Sequence, residues 1–469
     1  MFAESVESKT ALREGRQGGG CVKFEERQSK SKVSTVPVTA KQGTDAGQKD
    51  WSWAEASIWT ERMLAALENG VKGGKWFSLI DKVVRLQTLE AAWQKVARNK
   101  GSAGVDNQSI SRFRQQETKY LQDLGAGLQA GTYRPQPVKR VEIPKGPGKT
   151  RPLGIPVVKD RIVQTALKMV VEPVFEQYFM DSSYGFRPGR GCKDALREVD
   201  SLIKEGFTYV VDADLASYFD TISHDRLLDL VGQRISDGKV LELVRSFLGQ
   251  EIVEGLKRWT PVGGTPQGAV ISPLLANLYL HPLDSLMHAQ GYHMVRYADD
   301  FVVMCASFEE AEAALSEVRV WVEENELTLH PEKTHVGNCA VKGQGFEFLG
   351  YRFEAGKRWV RKKSLKSLRD RIRSRTGRSR GNSLNRIIES INPMLRGWFG
   401  YFKHADPYVF KSIDGFIRRR LRAVLRKQER RPGFGHCHAD HKRWPNAFFA
   451  KHELFTMTEA HALACQSRC

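Results

Sequence analysis

Four residues, Tyr297-Ala298-Asp299-Asp300, carry the sharpest chemical signal in this 469-residue chain. They separate two apolar runs of strand length, His293-Met294-Val295-Arg296 and Phe301-Val302-Val303-Met304, so the segment reads as a β-hairpin with two carboxylates at its tip. Adjacent carboxylates repel, and a hairpin turn is more easily built from Asn-Gly or Asp-Gly, so the pair points to a cation between them. The hard ion that suits such oxygen donors, and shares them with substrate phosphates, is Mg²⁺. A solvated turn carries the same residue types, so the tetrapeptide does not decide the matter alone. A second acidic segment, Tyr209-Val210-Val211-Asp212-Ala213-Asp214-Leu215, reads as a strand. Its period of two places Asp212 and Asp214 on one face and Val211, Ala213 and Leu215 on the other. The bulky rings of Tyr218 and Phe219 follow, as suits the wall of a ligand site. Asp212 and Asp214 are rivals for a place beside Asp299 and Asp300.

The elements that must position these groups are legible from punctuation and period. From Tyr133 onward, a strand Val138 to Ile143 is followed by a turn, Lys145-Gly146-Pro147-Gly148-Lys149, and by Arg151-Pro152-Leu153-Gly154-Ile155-Pro156. Its glycines let backbone approach phosphate, and Lys145, Lys149 and Arg151 supply positive charge; a solvated basic loop is the plain alternative. Residues 160–179 read as a buried amphipathic helix interrupted at Pro173. Leu86, Leu89, Trp93 and Val96 recur at helical spacing up to Asn99-Lys100-Gly101. Thr265-Pro266-Gln267-Gly268 precedes Ser272-Pro273, which reads as the N-cap and first-turn proline of another helix.

Composition sets the class of partner. Lys and Arg number 73 against 54 Asp and Glu, giving a net charge of +19 and a pI of about 9.6, which favours a polyanion. No apolar run reaches membrane-spanning length and the first residues hold no apolar signal core, so nucleic acid is the expected partner. The seven cysteines are scattered and never spaced as Cys-x-x-Cys, as in a reduced cytosolic protein. Residues 1–50, rich in Lys, Gln, Ser, Gly and Thr, read as a disordered leader. Between Arg361 and Arg380 ten basic residues are opposed only by Asp370, while Leu365, Leu368 and Ile372 keep a helical apolar stripe. That pattern describes a folded helix with a basic face. A second basic run, Arg418 to Arg431, is expected to extend it.

Taken in order, the segment Asp214 to Asp220, Pro266-Gln267-Gly268, Tyr297-Ala298-Asp299-Asp300, Pro331-Glu332-Lys333-Thr334 and Phe348-Leu349-Gly350-Tyr351 resemble the palm of reverse transcriptases. Arg151-Pro152-Leu153-Gly154-Ile155-Pro156 and Tyr184-Gly185-Phe186-Arg187-Pro188-Gly189-Arg190 resemble the bacterial group II intron proteins of the endonuclease-lacking type. The segment from Ile391 to Phe402 resembles their maturase domain. The likeness runs from about Trp76 to about Phe410.

The resemblance implies an α+β, right-hand polymerase fold: fingers and palm with an antiparallel palm sheet, then an α-helical thumb/maturase domain. The expected divisions are a leader at 1–50, fingers and palm with an N-terminal helical extension at 51–360, thumb/maturase at 361–431 and a tail at 432–469. It implies an RNA-directed DNA polymerase and splicing maturase that binds intron RNA, a DNA target and primer, and dNTPs, in a cytoplasmic ribonucleoprotein of a bacterium. By position, Asp214, Asp299 and Asp300 are the catalytic metal ligands for two Mg²⁺ ions, with Asp212 held as an outer neighbour. Lys145 and Arg151 match residues that bind the incoming triphosphate, Phe219 the ring beneath the sugar, Gln267 a residue lining the same pocket, and Lys333 a group near pyrophosphate. A splicing-only maturase with a vestigial palm, and another RNA-templated polymerase such as a retron enzyme, are the competing readings. The intact set Asp214, Phe219, Gln267, Asp299 and Asp300 opposes the first, and the maturase-like segment opposes the second. The forty or so residues after Arg431 are too few for an endonuclease, so retrohoming is expected to use a pre-existing 3′ end. His436, His438 and His441 beside Cys437 suggest zinc but lack a second ligand pair. A basic, aromatic tail (Lys442, Arg443, Trp444, Phe448, Phe449) contacting nucleic acid is expected there instead.

Overall fold

A computed structural model of the chain describes residues 50–71, 73–146 and 148–466; the expected leader lies outside them save for Asp50. Among the described residues the strands are β1 (Val138–Gly146), β2 (Lys149–Ile155), β3 (Tyr209–Asp214), β4 (Ile252–Glu254), β5 (Lys257–Trp259), β6 (His293–Tyr297), β7 (Asp300–Cys305), β8 (His335–Asn338), β9 (Phe346–Phe348), β10 (Tyr351–Glu354) and β11 (Lys357–Val360). They form three sheets ordered β2-β1-β4-β5, β6-β7-β3-β8 and β11-β10-β9. Helices cover the sheets and make up the C-terminal region, giving the expected α+β architecture.

The antiparallel sheet β6-β7-β3-β8 lies between two apolar cores, and strand period decides which side chain enters which. Val211, Ala213, Phe301, Val303 and Cys305 enter the first core, against helices Val158–Glu176, Ser272–Ala289 and Phe308–Glu324. Val210, Val302, Met304 and Val295 enter the second, shared with helix Cys192–Glu205, the small sheet, and helices Lys362–Arg375, Leu384–Phe402 and Pro407–Gln428. Because both faces are covered, β7 is buried at every position after Asp300.

Several sequence expectations change once tertiary partners are visible. Helix Val158–Glu176 runs through Pro173 without interruption. Proline removes the N–H that would serve the Met169 carbonyl four residues earlier, and that carbonyl accepts the Trp59 indole N–H at 3.1 Å instead. Ser272 is the first residue of its helix and not its cap; its hydroxyl donates to the Pro266 carbonyl at 3.1 Å and ties down the neighbouring loop. The turn between β1 and β2 is tighter than expected, since Gly146 pairs with Lys149.

The C-terminal segment is not an aromatic surface. Helices His438–Arg443, Asn446–Lys451 and Met457–Gln466 follow one another, and Trp444, Phe449, Leu454 and Met457 are buried in the second core, with Phe448 packed at its edge. A buried large apolar side chain is favoured by about 1.5–3 kcal/mol over an exposed one, which draws these rings inward, away from any nucleic acid. Asp414 accepts from the Met457 and Thr458 N–H groups at 3.1 and 2.9 Å, and Asn392 bridges the Glu453 carbonyl and the Phe455 N–H at 2.8 and 2.9 Å. Cys437 and Asp440 both meet Arg426 Nη1, at 3.2 and 2.6 Å.

Part of the second basic run is internal for a related reason. Arg422 is buried and donates to the Trp444 carbonyl at 2.9 Å, while Arg420 donates to the Thr376 hydroxyl and carbonyl at 3.0 and 2.9 Å. Guanidinium forks satisfy several carbonyls at once, so these arginines staple helices together and do not extend the basic surface. Arg419, Lys427, Arg430 and Arg431 of that run are exposed, and on helix Lys362–Arg375 the side chains of Lys362, Lys363, Lys366, Arg371, Arg373 and Arg375 face solvent. Leu368 and Ile372 are buried beneath them.

Candidate active site

Register brings the acidic groups together. Asp214, the last residue of β3, pairs with Asp300, the first residue of β7, and Tyr297 pairs with Asp300 across the hairpin, so Ala298 and Asp299 alone form the turn. Period two puts Asp212, Asp214 and Asp300 on the face that carries Val210, Val302 and Met304, where the apolar stripe ends in carboxylates. Burial, reinforced by the charges of Asp212, Asp299 and Asp214, pushes the Asp300 carboxyl up to about 7, with Arg361 pulling the other way. Asp212, opposite Val302 and His335, is pushed upward mainly by burial, with Asp214 and Glu347 adding to it and His335 opposing. Burial and the crowding of carboxylates both disfavour the charged form of Asp300, and a divalent cation beside it would offset both.

Lys333 reaches this cluster directly: its ammonium forms a short ion pair with the Asp214 carboxylate. Among the described residues no three His, Cys, Asp or Glu side chains stand close enough to enclose an ion, and Asp214 is engaged with Lys333. The donor types and the electrostatics fit a hard dication, then, while Asp214 must exchange its ammonium partner to join such a site.

The turn itself is held from behind by residues the sequence reading passed over. Arg296, wholly buried in β6, donates to the Ala298 carbonyl at 2.9 Å and to Asn277 Oδ1 at 3.0 Å, and pairs through two nitrogens with Asp284. Ala298 has φ +59°, a conformation that two-residue hairpin turns require and that glycine adopts with less strain. Gly185 lies against the turn so closely that a Cβ there would stand 2.3 Å from the Ala298 nitrogen. The available signal was an isolated arginine in an apolar strand and an isolated aspartate, Asp284, in an apolar helix.

A second group of expected residues is linked to the segment that follows Asp214. Tyr218 is buried and donates to the Ala276 carbonyl at 2.6 Å, which leaves Phe219 half-buried on the other side, its ring edge-on to Tyr218 at 5.4 Å. The Phe219 carbonyl accepts the Thr265 N–H at 2.7 Å, and Gly264, at φ +86°, has no room for a Cβ, which would lie 2.8 Å from that same carbonyl. The Gln267 carbonyl in turn accepts the Gly154 N–H at 2.6 Å, docking the Pro266-Gln267-Gly268 loop onto β2. Three positions before Gly154 on that strand is Arg151, whose Nη1 is buried without a hydrogen-bond partner, as suits a cation awaiting an anion. Lys145 lies on β1 near the hairpin end, and its side chain is outside the described residues.

Comparison with known proteins adds independent evidence. Residues 143–353 match the family model for reverse transcriptase (RNA-dependent DNA polymerase), and residues 365–444 match that for the group II intron maturase-specific domain. Protein YkfC of Escherichia coli (strain K12) is 35% identical over 319 residues, 58% of this chain and 83% of that protein. The group II intron-encoded protein LtrA of Lactococcus lactis subsp. cremoris is 37% identical over 208 residues, 44% of this chain but 34% of LtrA. The putative COX1/OXI3 intron 2 protein of Saccharomyces cerevisiae is 30% identical over 205 residues, 43% of this chain and 24% of that protein.

Proposed function

The chain belongs to the group II intron-encoded reverse transcriptase and maturase family, and from that premise we propose that it binds its intron RNA and copies it into DNA at Asp214, Asp299 and Asp300. The observation that carries the reading is the register pair Asp214 and Asp300 with Asp299 in the adjoining turn, on a face where burial, reinforced by the neighbouring carboxylates, raises Asp300 to about 7. When bound there, two Mg²⁺ ions would lower the pKa of the primer 3′-hydroxyl and stabilise the leaving pyrophosphate. Lys333 would have to leave Asp214 for a cation to be held there, and its ammonium would then be available to neutralise or protonate the pyrophosphate. Arg151 and Lys145 hold the incoming triphosphate, Gln267 lines its pocket, and the Phe219 ring lies beneath the sugar and excludes a 2′-hydroxyl.

Residues 51–360 act as fingers and palm with an N-terminal helical extension, and residues 361–431 as the thumb that grips intron RNA. We extend that RNA-gripping unit through Met457, because the following helices complete its core. DNA target and primer are the remaining partners, with intron mobility by target-primed copying inside a bacterial cytoplasmic ribonucleoprotein. No described helix is long and apolar enough to cross a membrane.

Replacing Asp299 with Asn tests the site. Primer extension on an RNA template should be abolished, because one anionic ligand is lost, while filter binding to intron RNA by the same preparation should be unchanged. Near-normal extension by the variant would remove Asp299 from the metal set.

A further inference from the structure

Phe186 has an unusual setting: it is a large apolar side chain, 50% exposed, at φ +57°. A bulky residue in the left-handed region is strained and persists only where its surroundings over-determine the backbone. Those surroundings are explicit. On one side the Tyr184 N–H donates to the Arg296 carbonyl at 2.8 Å, and the Gly185 carbonyl accepts from Asn277 Nδ2 at 2.7 Å. On the other, buried Arg187 pairs with Glu176 at 2.7 Å and donates to the Ser183 carbonyl at 2.7 Å. Both neighbours are clamped into the protein, and the ring between them is turned outward.

Its direction is set by the catalytic hairpin. The Phe186 ring lies 6.3 Å from that of Tyr297, tilted by 43°, and Tyr297 immediately precedes the Ala298-Asp299 turn. The two rings are thus neighbours, Phe186 open to solvent and Tyr297 half-buried one residue before the Ala298-Asp299 turn.

We propose that Phe186 and Tyr297 form a platform for the primer strand, with the Phe186 ring packing against the nucleotide at the 3′ end or its neighbour. The inference rests on the polymerase reading above, which puts the reacting hydroxyl at Asp214, Asp299 and Asp300; the nucleotide carrying it is the group nearest the open ring. The primer base is paired with the template and stacked on its neighbours, so the ring meets the sugar and minor-groove edge of the nucleotide, which varies little with sequence, and the platform suits a primer of any sequence. Strain at Phe186 is then the means by which a loop residue is held at a fixed height beside the reaction centre.

The test uses the full chain with a DNA primer on an RNA template, carrying 2-aminopurine as the terminal or penultimate primer base. For Phe186→Ala, the KM for primer-template should rise roughly tenfold, in line with the loss of one apolar contact covered on binding. The kcat should change far less, and fluorescence of the bound 2-aminopurine should differ from that with the parent protein. Phe186→Trp should restore both readings. Because the side chain is half exposed, its removal leaves the cores intact, and an unchanged thermal melt checks this. An unaltered KM and fluorescence in Phe186→Ala, or a fluorescence change confined to 2-aminopurine in the template strand, overturns the proposal. Should the parent protein itself fail to extend the primer, the polymerase reading falls first and takes this one with it.

Discussion

Phe219 is the residue at which a single ring is expected to decide substrate class. It is half-buried beside the fully packed Tyr218, and its carbonyl anchors the loop that leads to Gln267, so its backbone is fixed whatever the ring does. Phe219→Ala should therefore raise the rNTP/dNTP ratio of kcat/KM roughly tenfold or more, with a smaller fall in dNTP incorporation than Asp299→Asn produces. A ratio that does not move would make Phe219 a packing residue. At this scale the sequence was most informative where local geometry suffices. Alternation along Tyr209 to Asp214 identifies the acidic face, and register then joins Asp214 to Asp300 while Asp212 falls opposite Val302. Arg296 was not legible in the same way, because its partners Asn277 and Asp284 lie on a helix whose approach depends on tertiary packing.

The β6-β7 hairpin is an element held by a buried ion pair, and such a pair is most consequential when half of it is removed. Asp284→Leu should strand the Arg296 guanidinium in the core and destabilise the fold by about 3–5 kcal/mol, read as a lower urea midpoint. The double variant Asp284→Leu with Arg296→Met should recover much of the stability but not the extension rate, since the Ala298 carbonyl loses its donor. Equal stability of the single variant and parent would show that the pair does not hold the turn. Helices and strands were largely legible from period and punctuation, and the departures share a cause. Pro173 fits inside a helix because Trp59 serves the carbonyl it leaves free. Trp444 and Phe449 leave the surface because a core elsewhere in the chain needs them. Both depend on partners distant in sequence, which spacing does not encode.

Across the whole molecule Lys and Arg outnumber Asp and Glu by 19, and helix Lys362–Arg375 presents six of these cations to solvent above buried Leu368 and Ile372. Neutralising RNA phosphates there releases counterions, so intron RNA binding should weaken steeply with salt. The double charge reversal Arg371→Glu with Arg375→Glu should flatten the slope of log K against log salt by roughly 1.5 to 2 units, and impair splicing more than extension on a short generic template. A slope equal to that of the parent would mean that this face is merely solvated. Summed charge alone overstates the surface, because Arg420 and Arg422 are spent on joining helices.

The burial of Trp444, Phe449, Leu454 and Met457 also bears on the order in which the protein matures at the ribosome. These side chains share one continuous core with Val210, Val302 and Met304 on the second face of the catalytic sheet. As the chain emerges from its N-terminus, the helices that pack the first face are available early, whereas the second core cannot close until the segment around Met457 is free of the exit tunnel. A nascent chain can thus pack the first face of this sheet before the second, and the second core is complete only once residues up to Met457 have emerged.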